Sequence, residues 1–270
     1  ETVFHSDDID YLLQDVCPPK HKTGFDRNFW IWEEYQPGST YLITADVARG
    51  DGKDFSTFHV FKIETMEIVG EYQGKITPDL FSNVLVQAGK EYGSCMVVVE
   101  NMAAGFSVLE KLIDNEYPNI YYSYKSSHEY VDQLTAEYTN NTVAGFSTTT
   151  KTRPLIIAKM EEFVRNKLIK VYSSRLLQEM KTFVWHNGKP QAMRSFNDDL
   201  IMACAIGCWV KDTAFEVNQK DLQYKKAFLN SLGTSSKMMN TAIPGMNGYK
   251  KTSMQKQKDN YDKFVWLLKG

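Results

Sequence analysis

The chain has no apolar run near the roughly 20 residues that a membrane-spanning helix requires, and no basic-then-apolar-then-small N-terminal pattern of a secretory signal. These absences predict a soluble, intracellular protein without a membrane partner. Cysteine is scarce: Cys17, Cys95, Cys204 and Cys208 form no CxxC pair and have no zinc-ligand spacing to the five histidines. They read as reduced thiols packed as small apolar groups. No GxxxxGKS/T segment occurs, which excludes nucleotide hydrolysis through a P-loop in this chain. Net charge is also small, −2 at pH 7, so a wholly cationic surface is excluded and any nucleic-acid contact must be local. There is no internal repeat.

What is present is enough apolar material, 43% over 270 residues, for a sizeable core: one large domain with appendages or two small ones. Residues 1–38 mix aromatics with Pro18, Pro19, Pro37 and Gly38 without a sustained period, and read as a linker or covering segment. The first strand-like run begins only near Tyr41, and the chain opens at Glu1 without an initiator Met, so a fragment of something longer is expected. Residues 39–212 carry the regular patterns, and 213–270 read as a partly flexible C-terminal extension.

Residues 41–47 are near-continuously apolar, as in a strand buried on both faces. Residues 55–63 and 66–73 read as two further strands around a tight turn at Glu64 and Thr65. Thr77-Pro78 opens a helix with a candidate cap and an apolar stripe from Leu80 to Ala88, ended by Gly93. A second buried strand, 95–100, a helix over 106–115 and a strand over 119–124 follow. This β-β-β-α-β-α-β order joins an antiparallel meander to parallel strands connected by crossovers, with helices on both faces, which is the ribonuclease-H-like arrangement of an α/β protein. Residues 125–150 read as an exposed loop or hairpin insert. An amphipathic helix over 153–167 and a short one over 176–183 precede a hairpin at Asn187-Gly188. Residues 197–210 form a mostly apolar helix whose small residues suit close packing on a sheet. The extension ends in an apolar stretch, Phe264 to Leu268, which either packs back on the domain or docks to a partner.

Three acidic positions fall at element ends in apolar surroundings: Asp46, Glu100 and the pair Asp198–Asp199. If the first and fourth strands of this order are parallel neighbours, Asp46 and Glu100 emerge at one sheet edge. A final helix with its N-terminus at that edge adds Asp198 and Asp199. Two like charges about 4 Å apart repel by roughly 4 kcal/mol at an effective dielectric of about 20, so such a cluster requires cations. Oxygen-only ligands favour Mg²⁺ or Mn²⁺ over zinc, and two such ions can hold a phosphodiester for hydrolysis without a protein nucleophile. Each acid has a plainer reading as well. Asp46 suits a turn, and Asp198 and Asp199 complement a helix dipole. Glu100 resists one, because an ionised carboxylate is costly in apolar surroundings unless paired.

Between the first two strands of the meander, residues 49–54 form a glycine-containing loop that either approaches a phosphate, with Arg49 and Lys53 neutralising it, or is a plain hairpin loop. Asp54 is a candidate further ligand or an acid supporting the ligands. Lys125, Lys151, Arg153 and Arg194 fall in loops or at element ends and are candidates for tracking a DNA backbone, or are solvated surface charges. His186 reads as a hairpin side chain and His59 as a packed one.

Residues 44–57, Val97 to Asn101 and Asn197 to Met202, three separated segments agreeing in order and context, resemble the nuclease domain of large terminases from T-even-like tailed phages. The resemblance runs from about Gly38 to Val210. It implies a ribonuclease H fold related to RuvC resolvases and cleavage of double-stranded concatemeric DNA during viral genome packaging. By position it implies Asp46, Glu100 and one or both of Asp198 and Asp199 as Mg²⁺ ligands, with Asp199 favoured and Asp198 as helper. Implied too are an N-terminal ATPase domain whose motifs this chain lacks, portal and small terminase partners, and the host cytoplasm as its location. A Holliday-junction-type resolvase and a non-catalytic packaging-motor assembly module are the competing readings.

Overall fold

The computed structural model describes residues 1–124 and 142–215. Lys125, most of the insert expected at 125–150, nearly all of the C-terminal extension and its apolar end at Phe264–Leu268 lie outside the described residues. The meander is present as three strands, β3 (Tyr41–Asp46), β4 (Ser56–Lys62) and β5 (Glu67–Gly74), paired antiparallel in that order. After β5 the chain crosses through helix α2 (Pro78–Glu91) to β6 (Met96–Val99), which pairs parallel with β3. Pro78 sits in the first turn of α2 as expected, but the Thr77 side chain makes no capping bond. Helix α3 (Ala104–Asp114) follows β6.

Residues 1–38 hold regular structure that their sequence pattern did not reveal. Helix α1 (Ser6–Leu13) buries Ile9 and Leu12, and Val3 and Phe4 join the same core. Strands β1 (His21–Thr23) and β2 (Phe29–Ile31) extend the sheet, β2 pairing with β5. These elements span only three to eight residues, too short for a period to emerge. The strand expected over 119–124 joins the sheet through a single parallel bridge, Val97 to Ile120. Beyond it, β7 (Tyr122–Tyr124) leaves to pair with β8 (Thr142–Ala144). Asn119, Ser123 and the exposed Tyr122 give that stretch little to bury at a sheet edge.

The rest of the chain is helix α4 (Thr152–Arg165), the two-residue strand β9 (Lys170–Val171) beside β5, helix α5 (Ser174–Lys181) and helix α6 (Asp199–Val210). Between α5 and α6 the expected hairpin forms from β10 (Phe183–His186) and β11 (Lys189–Ala192), joined by Asn187 and Gly188. The sheet order is β1-β2-β5-β4-β3-β6, with β9 beside β5. Among the described residues no helix is long and apolar enough to cross a membrane.

Because successive strand side chains point to opposite faces, the sheet carries two cores. Ile43, Ala45, Phe58, Val60, Val97 and Val99 pack with α2 and α3 on one face. Leu42, Phe61, Ile68 and Val98 pack with α1, α4, α5 and α6 on the other. Thr44 and Asp46 therefore share the face covered by α6, as do Thr57 and His59 of β4. Helix α6 is buried nearly all round, and it lies so close to β4 that a methyl group at Gly207 would collide with the Phe61 ring. By helix propensity alone Gly207→Ala should stabilise by about 1 kcal/mol. The contact predicts the opposite sign, a loss of about 1–3 kcal/mol through overpacking. A urea midpoint equal to or above that of the wild type would contradict so close a helix–sheet contact.

Candidate active site

The β3–β6 register runs Leu42 to Met96 through Ala45 to Val99, and the Glu100 N–H donates to the Ala45 carbonyl at 2.9 Å. That pairing sets Asp46 and Glu100 side by side at the carboxyl ends of two parallel strands, as their positions predicted. The Glu100 backbone is fixed from the other side too. Gly105 in the first turn of α3 lies against the Glu100 carbonyl where no Cβ would fit. Burial pushes the Asp46 carboxyl well above the ordinary carboxylate range, and the adjacent Glu100 carboxyl, by its charge and by hydrogen bonding to the protonated form, pushes it further. Asp199 and Asp198 add to the same repulsion. Asp46 and Glu100 thus lie together, with Asp198 and Asp199 near enough to act on Asp46.

The first turn of α6 brings the other two acids. Asp199 accepts the Phe55 N–H at 2.8 Å and the Asn197 side-chain amide at 3.0 Å, both on Oδ2. Its carboxyl is raised chiefly by burial, against those two bonds. Asp198 is the N-cap residue of α6, yet its side chain caps nothing and instead pairs with Arg153 of α4. Arg153, expected as a DNA contact, is therefore half-buried against the acidic edge rather than free on the surface.

The loop between β3 and β4 lies at this edge. The Asn197 amide also donates to the Lys53 carbonyl at 3.2 Å, tying the loop to the start of α6. Arg49, Lys53 and Asp54 are exposed, and Arg49 and Asp54 line a cavity of about 290 Å³ with Ala48, Asp51 and Gly52. Asp54 lies close enough to contribute to the raised Asp199 carboxyl. Lys151 and Arg194 are exposed, with no link to the acids. His186 is exposed in the hairpin and His59 is fully buried, as expected for both. Of the cysteines, three are buried and unpaired while Cys17 is exposed, so packing as an apolar group holds for three of the four.

Sequence reasoning missed a buried polar layer beneath α6. His59 and Glu71 face each other across β4 and β5, fully buried, at 3.7 Å. Burial lowers the His59 ring below its ordinary value. Glu71 also accepts from Ser173 at 2.6 Å and from Arg175 Nε at 2.7 Å, while the Arg175 guanidinium stacks on Trp30. Glu179 of α5 accepts the Leu200 and Ile201 N–H groups at 2.9 and 3.2 Å, and burial drives its carboxyl up to about 9. No sequence signal marked these residues, since each partner lies on a different element.

Among the described residues no three His, Cys, Asp or Glu side chains form a ready-made metal cage. The donor set still suits a hard divalent cation. It consists of carboxylate oxygens only, and Asp46 and Glu100 repel each other unless a proton or a cation lies between them. Mg²⁺ ordinarily takes one or two carboxylates and completes its shell with water and substrate oxygens. A pair of acids with two more beside it meets that requirement.

No protein-family model matches the sequence, and no curated protein sequence matches it. Solved structures do match. The large terminase nuclease from thermophilic phage G20c with bound magnesium is 18% identical, with a TM-score of 0.58 over 77% of this chain and 96% of that one. The same nuclease with bound cobalt is 17% identical, TM-score 0.57, over 77% and 96%. The Thermus phage P74-26 large terminase nuclease domain is 19% identical, TM-score 0.53, over 73% and 92%. At these identities the likeness is one of fold. The mixed sheet, with an antiparallel meander, a parallel β3–β6 pair and helices on both faces, is ribonuclease-H-like.

The acid cluster fixes how stability depends on pH. Asp46, Asp199 and Glu179 all have folded values above the ordinary 3.8 or 4.5, so above those values the folded chain holds protons that the unfolded chain has lost. Stability conferred by these groups is full below their ordinary values and is lost as pH rises through the folded ones. His59 acts only below its ordinary 6.5. Without divalent ions, the urea midpoint should fall between about pH 7 and about pH 9, and Glu179→Gln should flatten that fall. A midpoint that rises across this window would contradict the raised carboxyls.

Proposed function

We propose that this chain is a divalent-metal-dependent endonuclease of the large-terminase nuclease type, cutting double-stranded DNA concatemers during viral genome packaging. The observation that carries the reading is the pairing of Asp46 with Glu100 at the ends of parallel strands, with Asp198 and Asp199 presented to the same edge. The fold likeness to phage terminase nucleases supports it.

In this reading Asp46 and Glu100 hold Mg²⁺ or Mn²⁺, with Asp199 offering Oδ1, the oxygen not used by Phe55 and Asn197. Asp198, steadied by Arg153, supports a second ion. When bound, the ions supply Lewis-acid activation of the attacking water and stabilise the leaving 3′ oxygen. The chain's own task is to hold the acids in place before substrate arrives and to receive the phosphate. Arg49 and Lys53 serve that second task, because their loop is fastened to the start of α6 and their side chains reach solvent beside the acids. Lys125, Lys151 and Arg194 are the further candidates for backbone contacts, which lack sequence preference and weaken with salt. DNA translocation falls to an ATPase domain whose phosphate-loop motif is missing from this sequence. Portal and small terminase proteins in the host cytoplasm are the partners this role implies.

Incubation with supercoiled plasmid in Mg²⁺ tests the proposal. The wild type should nick and then linearise the DNA, and chelation should stop it. Asp46→Asn and Glu100→Gln should each lose more than the roughly 100-fold that removal of a mere supporting residue costs at a metal site. Equal cleavage by all three proteins, or cleavage in chelator, would reject the site. Strong preference for four-way junctions over linear duplex would move the assignment to a resolvase.

A further inference from the structure

Helix α6 carries two acids of the proposed site, yet its own sequence does little to orient it. Ten of its twelve residues are buried, on all sides, so no amphipathic stripe sets its rotation about its axis. Polar contacts from neighbouring elements set it instead. Thr44 Oγ1 donates to the Ala203 carbonyl at 2.6 Å, Thr57 Oγ1 to the Asp199 carbonyl at 2.9 Å, and His59 Nε2 lies 2.9 Å from the Leu200 carbonyl. These hold carbonyls of the first turns. The N–H donors at the N-terminus are held by one group, Glu179, whose Oε2 takes both Leu200 and Ile201.

Leu200 and Ile201 are the second and third residues after the N-cap position. Their N–H groups are the ones an Asp at the N-cap normally accepts with its own side chain. Asp198 occupies the N-cap and does not do so. Its carboxylate turns instead to Arg153 and contributes to the field on Asp46. Glu179 is itself anchored from the sheet, its Oε1 accepting the Gln73 side-chain amide at 3.2 Å. Gln73 lies opposite Thr57 in the β4–β5 register, and Thr57 lies opposite Asp46 in the β3–β4 register. One row across the sheet thus links Asp46 to the anchor of Glu179.

We infer that Glu179 is a positioning residue of the metal site: by capping α6 from another helix, it keeps Asp198 from capping its own helix and so keeps that carboxylate at the acidic edge. The inference rests on the metal-site reading above. Loss of Glu179 leaves two vacant N–H donors within reach of Asp198, which swings onto them and deserts Arg153 and the cation. The fold survives this exchange, because one cap replaces another, while the metal site loses an acid.

Mn²⁺ binding by the wild type, Glu179→Leu and Glu179→Gln, followed by the electron paramagnetic resonance of free Mn²⁺, tests this without relying on turnover. Glu179→Leu should weaken Mn²⁺ binding by about tenfold or more. Glu179→Gln keeps an acceptor oxygen for both N–H groups and should restore binding to within about threefold of the wild type, the Gln73 amide turning to match it. Plasmid cleavage should show the same order, with the Mg²⁺ half-saturation rising in Glu179→Leu. If Glu179→Leu does not fold, Glu179→Asp, which keeps the carboxyl group but falls a methylene short of the helix, should weaken Mn²⁺ in the same way. Mn²⁺ affinity unchanged in a folded Leu or Asp variant, or equally weak in Leu and Gln, would overturn the inference. A wild type that binds no Mn²⁺ would sink the metal site and this inference with it, whereas one that binds Mn²⁺ with the predicted order but leaves DNA intact would sink only the nuclease reading.

Discussion

The structure turns on the parallel pairing of β3 with β6, which forces two carboxyl groups into contact. No local preference brings Asp46 to Glu100. The hydrogen-bond ladder does so, since Ala45 and Val99 are partners and the next residue on each strand is an acid. Two charges at about 4 Å and an effective dielectric of about 20 repel by roughly 4 kcal/mol. Without a cation the edge responds by keeping a proton: burial first, and the Glu100 charge after it, hold Asp46 well above its usual range. In the proposed reading, a sheet that holds its acids in this unfavourable state is already arranged for a divalent ion, and little reorganisation remains to be done when one arrives.

The second constraint is the placement of α6. A helix buried on every side is cheap to insert between sheet and outer helices but poorly specified in rotation. Here specification comes from polar side chains on the sheet and on α5 that reach the exposed backbone groups of its first turns. The same layer contains His59 and Glu71, each with one buried polar atom lacking a hydrogen-bond partner among the described residues, His59 Nδ1 and Glu71 Oε2. Such atoms cost stability. Their position directly under the acid-bearing turn links that cost to the part of the fold that must be held in one orientation.

Much of this was legible in the sequence, for physical reasons that also mark where legibility stopped. Asp46 and Glu100 could be read because each ends a strand buried on both faces, and the crossover between those strands makes them parallel neighbours. The hairpin at Asn187–Gly188 and helix α2 were equally plain, the one set by local turn chemistry and the other by Pro78 in its first turn and its apolar stripe. Residues 1–38 were opaque, since strands of three residues have no measurable period, and their place is decided by the free edge of β5. Arg153 reads in the sequence as a DNA contact or a solvated cation, because its partner, Asp198, lies 45 residues away. Glu179 and Glu71 carry no distinguishing signal in the sequence. Only the assembled fold reveals that one caps a remote helix and the other anchors an arginine.

As proposed, this edge is an anionic pocket relieved by a divalent ion. Anomalous scattering from crystals grown with Mn²⁺ addresses it directly. A manganese peak is expected between the carboxylates of Asp46 and Glu100, with the two groups no longer bonded to each other. A map with manganese bound elsewhere, and with Asp46 and Glu100 still sharing a proton, would contradict it.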